Sequence, residues 1–286
     1  MELTFTKLHG TGNDFVLVDA RRRQADWPQL AARLCDRHLG IGADGLILVL
    51  PSRRADFRMR IFNPDGSEAE MCGNGIRCFA KFVVEELLQE RDHPQLTVES
   101  MAGVHELRLT ARSGRVEQVR VSMGAPELRP DRLPMALPPG PAPVEGPVMD
   151  YPVSVAGRPL RLTCLSMGNP HAVHFEEASL AGFPLREVGP QVEHLALFPK
   201  RVNFEVVRVR DRAHLEAAVW ERGAGPTLAC GTGACAAVVA ARLHGWVDDA
   251  VEVMLPGGAL SITWPGRGEV ILEGPAVRVF SGTWSG

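Results

Sequence analysis

Residues 62–78 read FNPDGSEAEMCGNGIRC, and residues 220–236 read WERGAGPTLACGTGACA. Laid over one another without a gap, Phe62 falls on Trp220, and the turn Cys72-Gly73-Asn74-Gly75 falls on Cys230-Gly231-Thr232-Gly233. The match continues upstream in the same order. Gly12-Asn13-Asp14 heads the run Phe15–Val18, as Gly168-Asn169-Pro170 heads His171–Phe175. Ala43-Asp44-Gly45 before Leu46–Leu50 is echoed by Val202-Asn203-Phe204 before Glu205–Val209. Matched pairs in one order point to a duplication. Two similar halves are expected to bring equivalent loops together about a pseudo-twofold axis, and interfaces between domains favour ligand sites.

Outward from these loops, short alternating or β-branched runs recur, among them Phe57–Phe62, Leu96–Ser100, Val116–Val121, Glu252–Leu255, Leu260–Trp264 and Glu269–Leu272. Gly, Pro or Asp bound many of them, which reads as strands. Helical spacing follows Cys72 at Ile76, Phe79, Ala80, Val83, Leu87 and Leu88, with Glu85, Glu86 and Glu90 towards the other face. After Cys230, the almost wholly apolar Ala234–Leu243 closes on Gly245, a natural C-terminal cap. A further helix is expected over Pro28–Arg37. The class is α+β, rich in strand. Between Pro126 and Pro152 lie Pro130, Pro134, Pro138, Pro139, Pro141, Pro143 and Pro147, a density that marks a connector between the halves.

The 286 residues suit two domains at roughly 150 residues each. With 45% apolar and 23% charged residues the chain is ordinary globular material, and a formal charge of -3 gives no footprint for nucleic acid. No secretory signal is visible in residues 1–10, and no apolar run is long enough to span a bilayer. The six cysteines are therefore expected to be reduced thiols in a cytoplasm rather than a disulfide scaffold.

Each Cys-Gly-x-Gly turn sets a thiol at a helix start, where glycines let the backbone approach a ligand. The positive helix end and its outward N–H groups favour anions, and they lower thiol pKa values from about 8.5 into a range of about 3.5–7.5. The same donors hold carboxylates. Two such turns supply a thiolate base and a thiol acid for opposite faces of one carbon, which fits stereoinversion at the α-carbon of an amino acid. Neither turn contains a lysine, so a pyridoxal phosphate Schiff base is not suggested there. Charge developing on the substrate carboxylate would then fall to aimed N–H donors. Cys78 and Cys235 lie on the apolar helices and read as core, as do Cys35 and Cys164. Metal-ligand spacing is missing, so no metal is expected. Gly231-x-Gly233-x-x-Ala236 mimics a dinucleotide fingerprint but follows a poor strand, and is set aside. A thiol redox protein would use the same cysteines but typically shows Cys-x-x-Cys. A non-catalytic amino-acid-binding protein would not need both thiols.

The chain resembles the diaminopimelate epimerase family. The motifs are Phe5–Phe15 (FTKLHGTGNDF), Gly40–Gly45 (GIGADG), Phe62–Cys78, Gly168-Asn169-Pro170-His171, Arg201–Phe204 (RVNF), and Trp220-Glu221-Arg222-Gly223 leading to Ala229–Ala234. The resemblance implies a cofactor-independent epimerase that interconverts LL- and meso-diaminopimelate, with Cys72 and Cys230 as its acid/base residues. It implies that Gly73, Asn74, Gly231 and Thr232 hold the reacting carboxylate. Asn13, Asn63, Asn169, Asn203, Glu221 and Arg222 then orient the substrate, and His171 and Glu221 tune the thiols. Arg222 suits a bidentate grip on a carboxylate and Glu221 an ammonium; this second zwitterionic site argues against a proline or hydroxyproline racemase. Some relatives carry Gln where this chain has Gly45. The implied fold is two pseudo-symmetric domains, each a curled, mostly antiparallel sheet around a central helix. Residues 1–130 with a returning C-terminal strand, about 275–286, would carry Cys72, and residues 131–274 would carry Cys230. The expected partners are a small-molecule substrate and a second copy in a homodimer, with no nucleic acid and no membrane.

Overall fold

A computed structural model describes residues 2–88, 93–137 and 146–286. It divides into two units: Met1–Ser122 with Glu273–Gly286, and Met123–Leu272. The first contains β1 (Glu2–Gly10), β2 (Asn13–Asp19), α1 (Trp27–Cys35), β3 (Gly45–Leu50), β4 (Phe57–Phe62), β5 (Glu68–Ala69), α2 (Gly73–Phe82), β6 (Gln95–Ser100), β7 (Gly103–Arg112) and β8 (Arg115–Ser122). β1 pairs antiparallel with β2, β2 parallel with β3 across α1, and β3 antiparallel with β4. β4 then pairs parallel with β6 across α2, and β6, β7 and β8 form an antiparallel meander.

The second unit repeats this order with β9 (Val148–Val155), β10 (Arg158–Ser166), β11 (Pro170–Phe175), α3 (Leu185–Glu193), β12 (Asn203–Asp211), β13 (His214–Glu221), β14 (Gly225–Thr227), α4 (Gly231–Leu243), β15 (Ala250–Leu255) and β16 (Gly258–Thr263), and β17 (Ile271–Gly274) straddles the boundary after Leu272. Its parallel pairs are β11–β12 across α3 and β13–β15 across α4. The registers agree as well: Leu46 faces Phe62 as Phe204 faces Trp220. The last strand, β18 (Val277–Ser285), pairs antiparallel with β1 in the first unit, the place β9 takes beside β10 in the second. The fold is the expected α+β class, dominated by strands, with open sheets.

In each unit the second helix sits against its own sheet. All ten residues of α2 are buried, as are ten of the thirteen in α4. For α4 this follows from its apolar sequence, which leaves no face for water. The α2 helix is different, because it carries Arg77 and Lys81 into the interior. Arg77 donates to the carbonyls of Gly73 (3.0 Å) and Pro275 (3.2 Å). Lys81 donates to the Val116 carbonyl (2.7 Å) and pairs with Glu85 at 2.6 Å. Both cations are thus covered by protein with their charges satisfied internally, while on the expected polar face Glu85 is half-buried and Glu86 exposed. A π-helical turn, Val83–Leu87, continues α2.

Helix α3 is absent from the sequence reading because Gly189 and Pro190 sit in its middle, where both are unfavourable. Packing explains the glycine: a Cβ there would lie 2.5 Å from Cδ2 of Trp220. The break between units falls at Ser122/Met123 rather than near residue 130. Backbone bonds join Met123 to Val270 (2.8 Å) and Glu127 to Ser166 (2.9 Å), so this segment belongs with residues 123–272. Glu90, Pro138, Pro139, Pro141 and Pro143 lie outside the described residues.

Candidate active site

Both turn cysteines are helix N-caps in extended backbone conformation. The Cys72 sulfur accepts the N–H of Gly75 (3.4 Å) and that of Cys230 accepts the N–H of Gly233 (3.3 Å). A sulfur here replaces the oxygen that usually caps a helix. Gly73 and Asn74 therefore occupy the first two positions of α2, as Gly231 and Thr232 do in α4, and their N–H groups point out of the helix end.

Around Cys72 the first unit gathers Asn13 and Asn74. The Cys72 thiol points at Asn13 Oδ1 (3.8 Å), which also accepts from Asn74 Nδ2 (3.2 Å). Asn13 Nδ2 donates to Asp44 (2.7 Å), and Arg37 bridges Asp44 and Asp14 at 2.7 Å each. Lys7 completes the network, 2.9 Å from Asp14. Burial alone would raise the Asp14 carboxyl, but hydrogen bonds from Arg37 and Lys7 outweigh it and hold the pKa at about 2. The folded value lies below the unfolded one, so this contribution is complete above about pH 4 and is lost as the pH falls towards 2. In urea unfolding, the wild type is expected to lose about 2 kcal/mol over that window that Asp14→Asn does not lose. Identical pH dependence in the two proteins would remove Asp14 as the source.

Around Cys230 the second unit gathers Asn169, His171 and Thr232. Thr232 Oγ1 lies 3.4 Å from the Cys230 sulfur and accepts from Asn169 Nδ2 at 3.2 Å. Asn169 Oδ1 is 3.0 Å from His171 Nε2, and His171 Nδ1 is 2.7 Å from Glu205. The expected lowering of the thiol pKa fails at Cys230. Burial pushes this thiol up and the charge of Glu221 adds to it, while Thr232 and the Gly233 N–H pull down without offsetting them. Desolvation of this thiol, on a residue only 7% exposed, outweighs the helix end. Burial likewise lifts Cys35, Cys78 and Cys164 to about 12, leaving them inert core thiols.

The loop after β13 presents Glu221 and Arg222. Thr227 donates to Glu221 Oε1, and Arg222 is exposed with one guanidinium nitrogen on the Lys200 carbonyl (3.1 Å). Asn203 works through backbone here: its Oδ1 accepts the Arg222 N–H (2.9 Å) and its Nδ2 donates to the Pro170 carbonyl (3.0 Å). Asn63 bonds Ser67 Oγ (2.9 Å) within its own turn. At Gly45 a Cβ would sit 3.0 Å from the Phe62 carbonyl oxygen, so a side chain there would need the backbone to shift.

Two buried carboxylates escaped the sequence reading. Glu193 of α3 accepts from Trp220 Nε1 (2.7 Å) and from the Gly223 N–H (3.0 Å), bracketing the Glu221–Arg222 loop. Glu205 of β12 lies behind His171. Comparison of the repeats is the signal that finds Glu205: the sequence alignment sets it against the aliphatic Leu46–Leu50 run, and the strand registers place it at Ile47.

A family model described as diaminopimelate epimerase matches residues 5–129 and 163–279. The diaminopimelate epimerase of Moorella thermoacetica is 54% identical over 281 residues, covering 97% of this chain and 98% of that protein. The one from Pelotomaculum thermopropionicum is 49% identical, with 98% of each chain covered. Among solved structures, a Bacillus anthracis phenazine biosynthesis protein of the PhzF family aligns with a TM-score of 0.71 at 19% identity, over 100% of this chain and 99% of that one. A hydroxyproline epimerase from Agrobacterium vitis, with bound trans-4-OH-L-proline, aligns at 0.69 and 15% identity, over 99% and 92%. These two likenesses concern the fold.

Proposed function

The chain belongs to the diaminopimelate epimerase family, and from that premise we propose that Cys72 and Cys230 are the two acid/base groups of its reaction. It is an isomerase that inverts one α-carbon of diaminopimelate, interconverting the LL and meso forms for lysine and peptidoglycan precursors. One thiolate removes the α-proton and the other thiol delivers one to the opposite face. Burial favours the protonated form of the Cys230 thiol, the form that delivers a proton.

The observation that carries this reading is the pair of cysteine N-caps at equivalent repeat positions, each with its sulfur on the third helical N–H. The first two helical N–H groups, at Gly73 and Asn74 and at Gly231 and Thr232, hold the reacting carboxylate and stabilise the charge that builds on it. Asn13 and Asn169 orient the reacting end. Arg222 grips the distal carboxylate and Glu221 the distal ammonium, with Asn203 acting through the Arg222 backbone and Asn63 flanking the same end. His171 and Glu221 tune the thiols. Each unit is read as one epimerase-like domain, and the working enzyme as a cytoplasmic homodimer without a nucleic-acid or membrane partner. No described helix is long and apolar enough to cross a membrane.

The test is an epimerisation assay on LL-diaminopimelate with no cofactor added, read by chiral chromatography and by α-proton exchange in deuterated water. Formation of the meso isomer with solvent-derived deuterium is expected. Neither inversion nor exchange by folded protein would overturn the reading.

A further inference from the structure

The His171–Glu205 pair behind Cys230 is more polar than the fold requires. Both side chains are fully buried and 2.7 Å apart. Glu205 Oε2 has no hydrogen-bond partner among the described residues. Such an oxygen is costly on a carboxylate anion and far less so on a neutral carboxyl. In the first half the matching positions are Phe15 and Ile47. They serve the same packing: a Cβ on Gly75 would meet Ile47 Cδ1 at 3.1 Å, and one on Gly233 would meet Glu205 Oε1 at 3.0 Å. An aliphatic side chain therefore fills this space behind one helix start, so the carboxyl behind the other answers a different need.

Hydrogen-bond polarity identifies that need. Asn169 Nδ2 is committed to Thr232 Oγ1, so Asn169 Oδ1 must accept from His171 Nε2, which carries a proton. The 2.7 Å contact between Nδ1 and Glu205 Oε1 needs a second proton. The pair thus holds two protons and no net charge. Thr232, having accepted from Asn169, keeps its own hydroxyl hydrogen for the Cys230 sulfur 3.4 Å away, and a thiolate there, which can only accept, takes it.

We infer that Glu205 is a positioning residue for Cys230: by keeping a proton on His171 Nε2 it fixes, through Asn169, the Thr232 hydroxyl as a donor to the Cys230 thiolate. At the two matching positions of the Cys72 half, Phe15 and Ile47 carry no donor or acceptor in their side chains. The inference rests on the reading that Cys230 passes through its thiolate each time it gives up a proton. Other observations agree. Burial raises the Glu205 carboxyl, and an ionised Glu205 would oppose a thiolate at Cys230. The titratable groups bearing on this cluster are Cys164 on β10, His171 on β11, Cys230 at the start of α4 and Glu221 at the end of β13. Beside Glu205, the adjacent strands place Val173 and Val219.

The experiment labels the whole protein with iodoacetamide at about pH 8 and reads Cys230 and Cys72 separately by peptide mass spectrometry, because alkylation follows thiolate. Glu205→Ile removes the donor to Nδ1 and is expected to slow labelling of Cys230 about tenfold, with Cys72 within about twofold. Glu205→Gln donates to Nδ1 from its amide as the protonated carboxyl does, and is expected to stay within about threefold of wild type. If Glu205→Ile fails to fold, the double variant His171→Phe with Glu205→Ile installs the pair already present in the first half and replaces it. Unchanged Cys230 labelling in the isoleucine variant, equal slowing in the Gln and Ile variants, or equal slowing at Cys72 would each overturn the inference. Labelling needs no substrate, so inactivity towards diaminopimelate would sink the functional reading and leave this result standing.

Discussion

Replacing Cys72 or Cys230 by alanine is expected to reduce net epimerisation about 10³-fold, the scale of a lost general acid or base. Inversion needs a proton carrier on each face of the carbon, so neither thiol substitutes for the other. Each variant is expected to fold, because a lost N-cap interaction costs only about 1 kcal/mol. Cys78→Ala is the control: it removes a fully buried thiol that touches neither turn's chemistry, and its effect belongs in the melting temperature. Progress curves from both stereoisomers, with matched circular dichroism, make the comparison. A Cys72 or Cys230 variant within about tenfold of wild type would refute two-thiol catalysis.

Arg222→Ala ranks second, with an expected loss of about 10²-fold in kcat/KM. A charge-assisted, bidentate carboxylate contact is worth about 3 kcal/mol. Binding energy from the distal end is used to orient the reacting α-carbon, so kcat falls along with rising KM. Lysine restores only part of the activity, because it lacks the planar fork of donors. The fold should not suffer: the Arg222 side chain is exposed, and Asn203 and Glu193 hold this loop through backbone N–H groups of Arg222 and Gly223. Kinetics indistinguishable from wild type would assign Arg222 a structural task.

Much of this architecture was legible because its punctuation is local. Gly12, Gly66 and Gly168 adopt positive φ at the turns that delimit strands, and Cys72 and Cys230 precede glycines that open helices. Burial was harder to read. Residues 203–207 are buried in succession, so β12 has no solvent face there, and a glutamate in it looks like ordinary alternation. The same blindness misjudged the Cys230 thiol, whose helix position is local but whose desolvation is tertiary. Helix α3 was hidden by Gly189, a residue dictated by the indole of Trp220 from a distant strand. Site residues that hold one another, such as Asn203 and Arg222, were found through family motifs; their hydrogen bonds follow only from the folded chain.

The pairing of β1 with β18 orders events during synthesis. Residues 123–272 form an unbroken stretch and can close their core as soon as that stretch is made. The unit carrying Cys72 cannot, because β1 waits for β18, which is translated only after that stretch. Until Phe280 arrives to pack edge-on against Phe5, β1 offers a bare hydrogen-bonding edge to any other strand nearby. At about 5–20 residues per second, the gap between β1 and β18 keeps that edge open for tens of seconds on the ribosome. Deletions beyond residue 276 therefore strike β1 as hard as β18 itself.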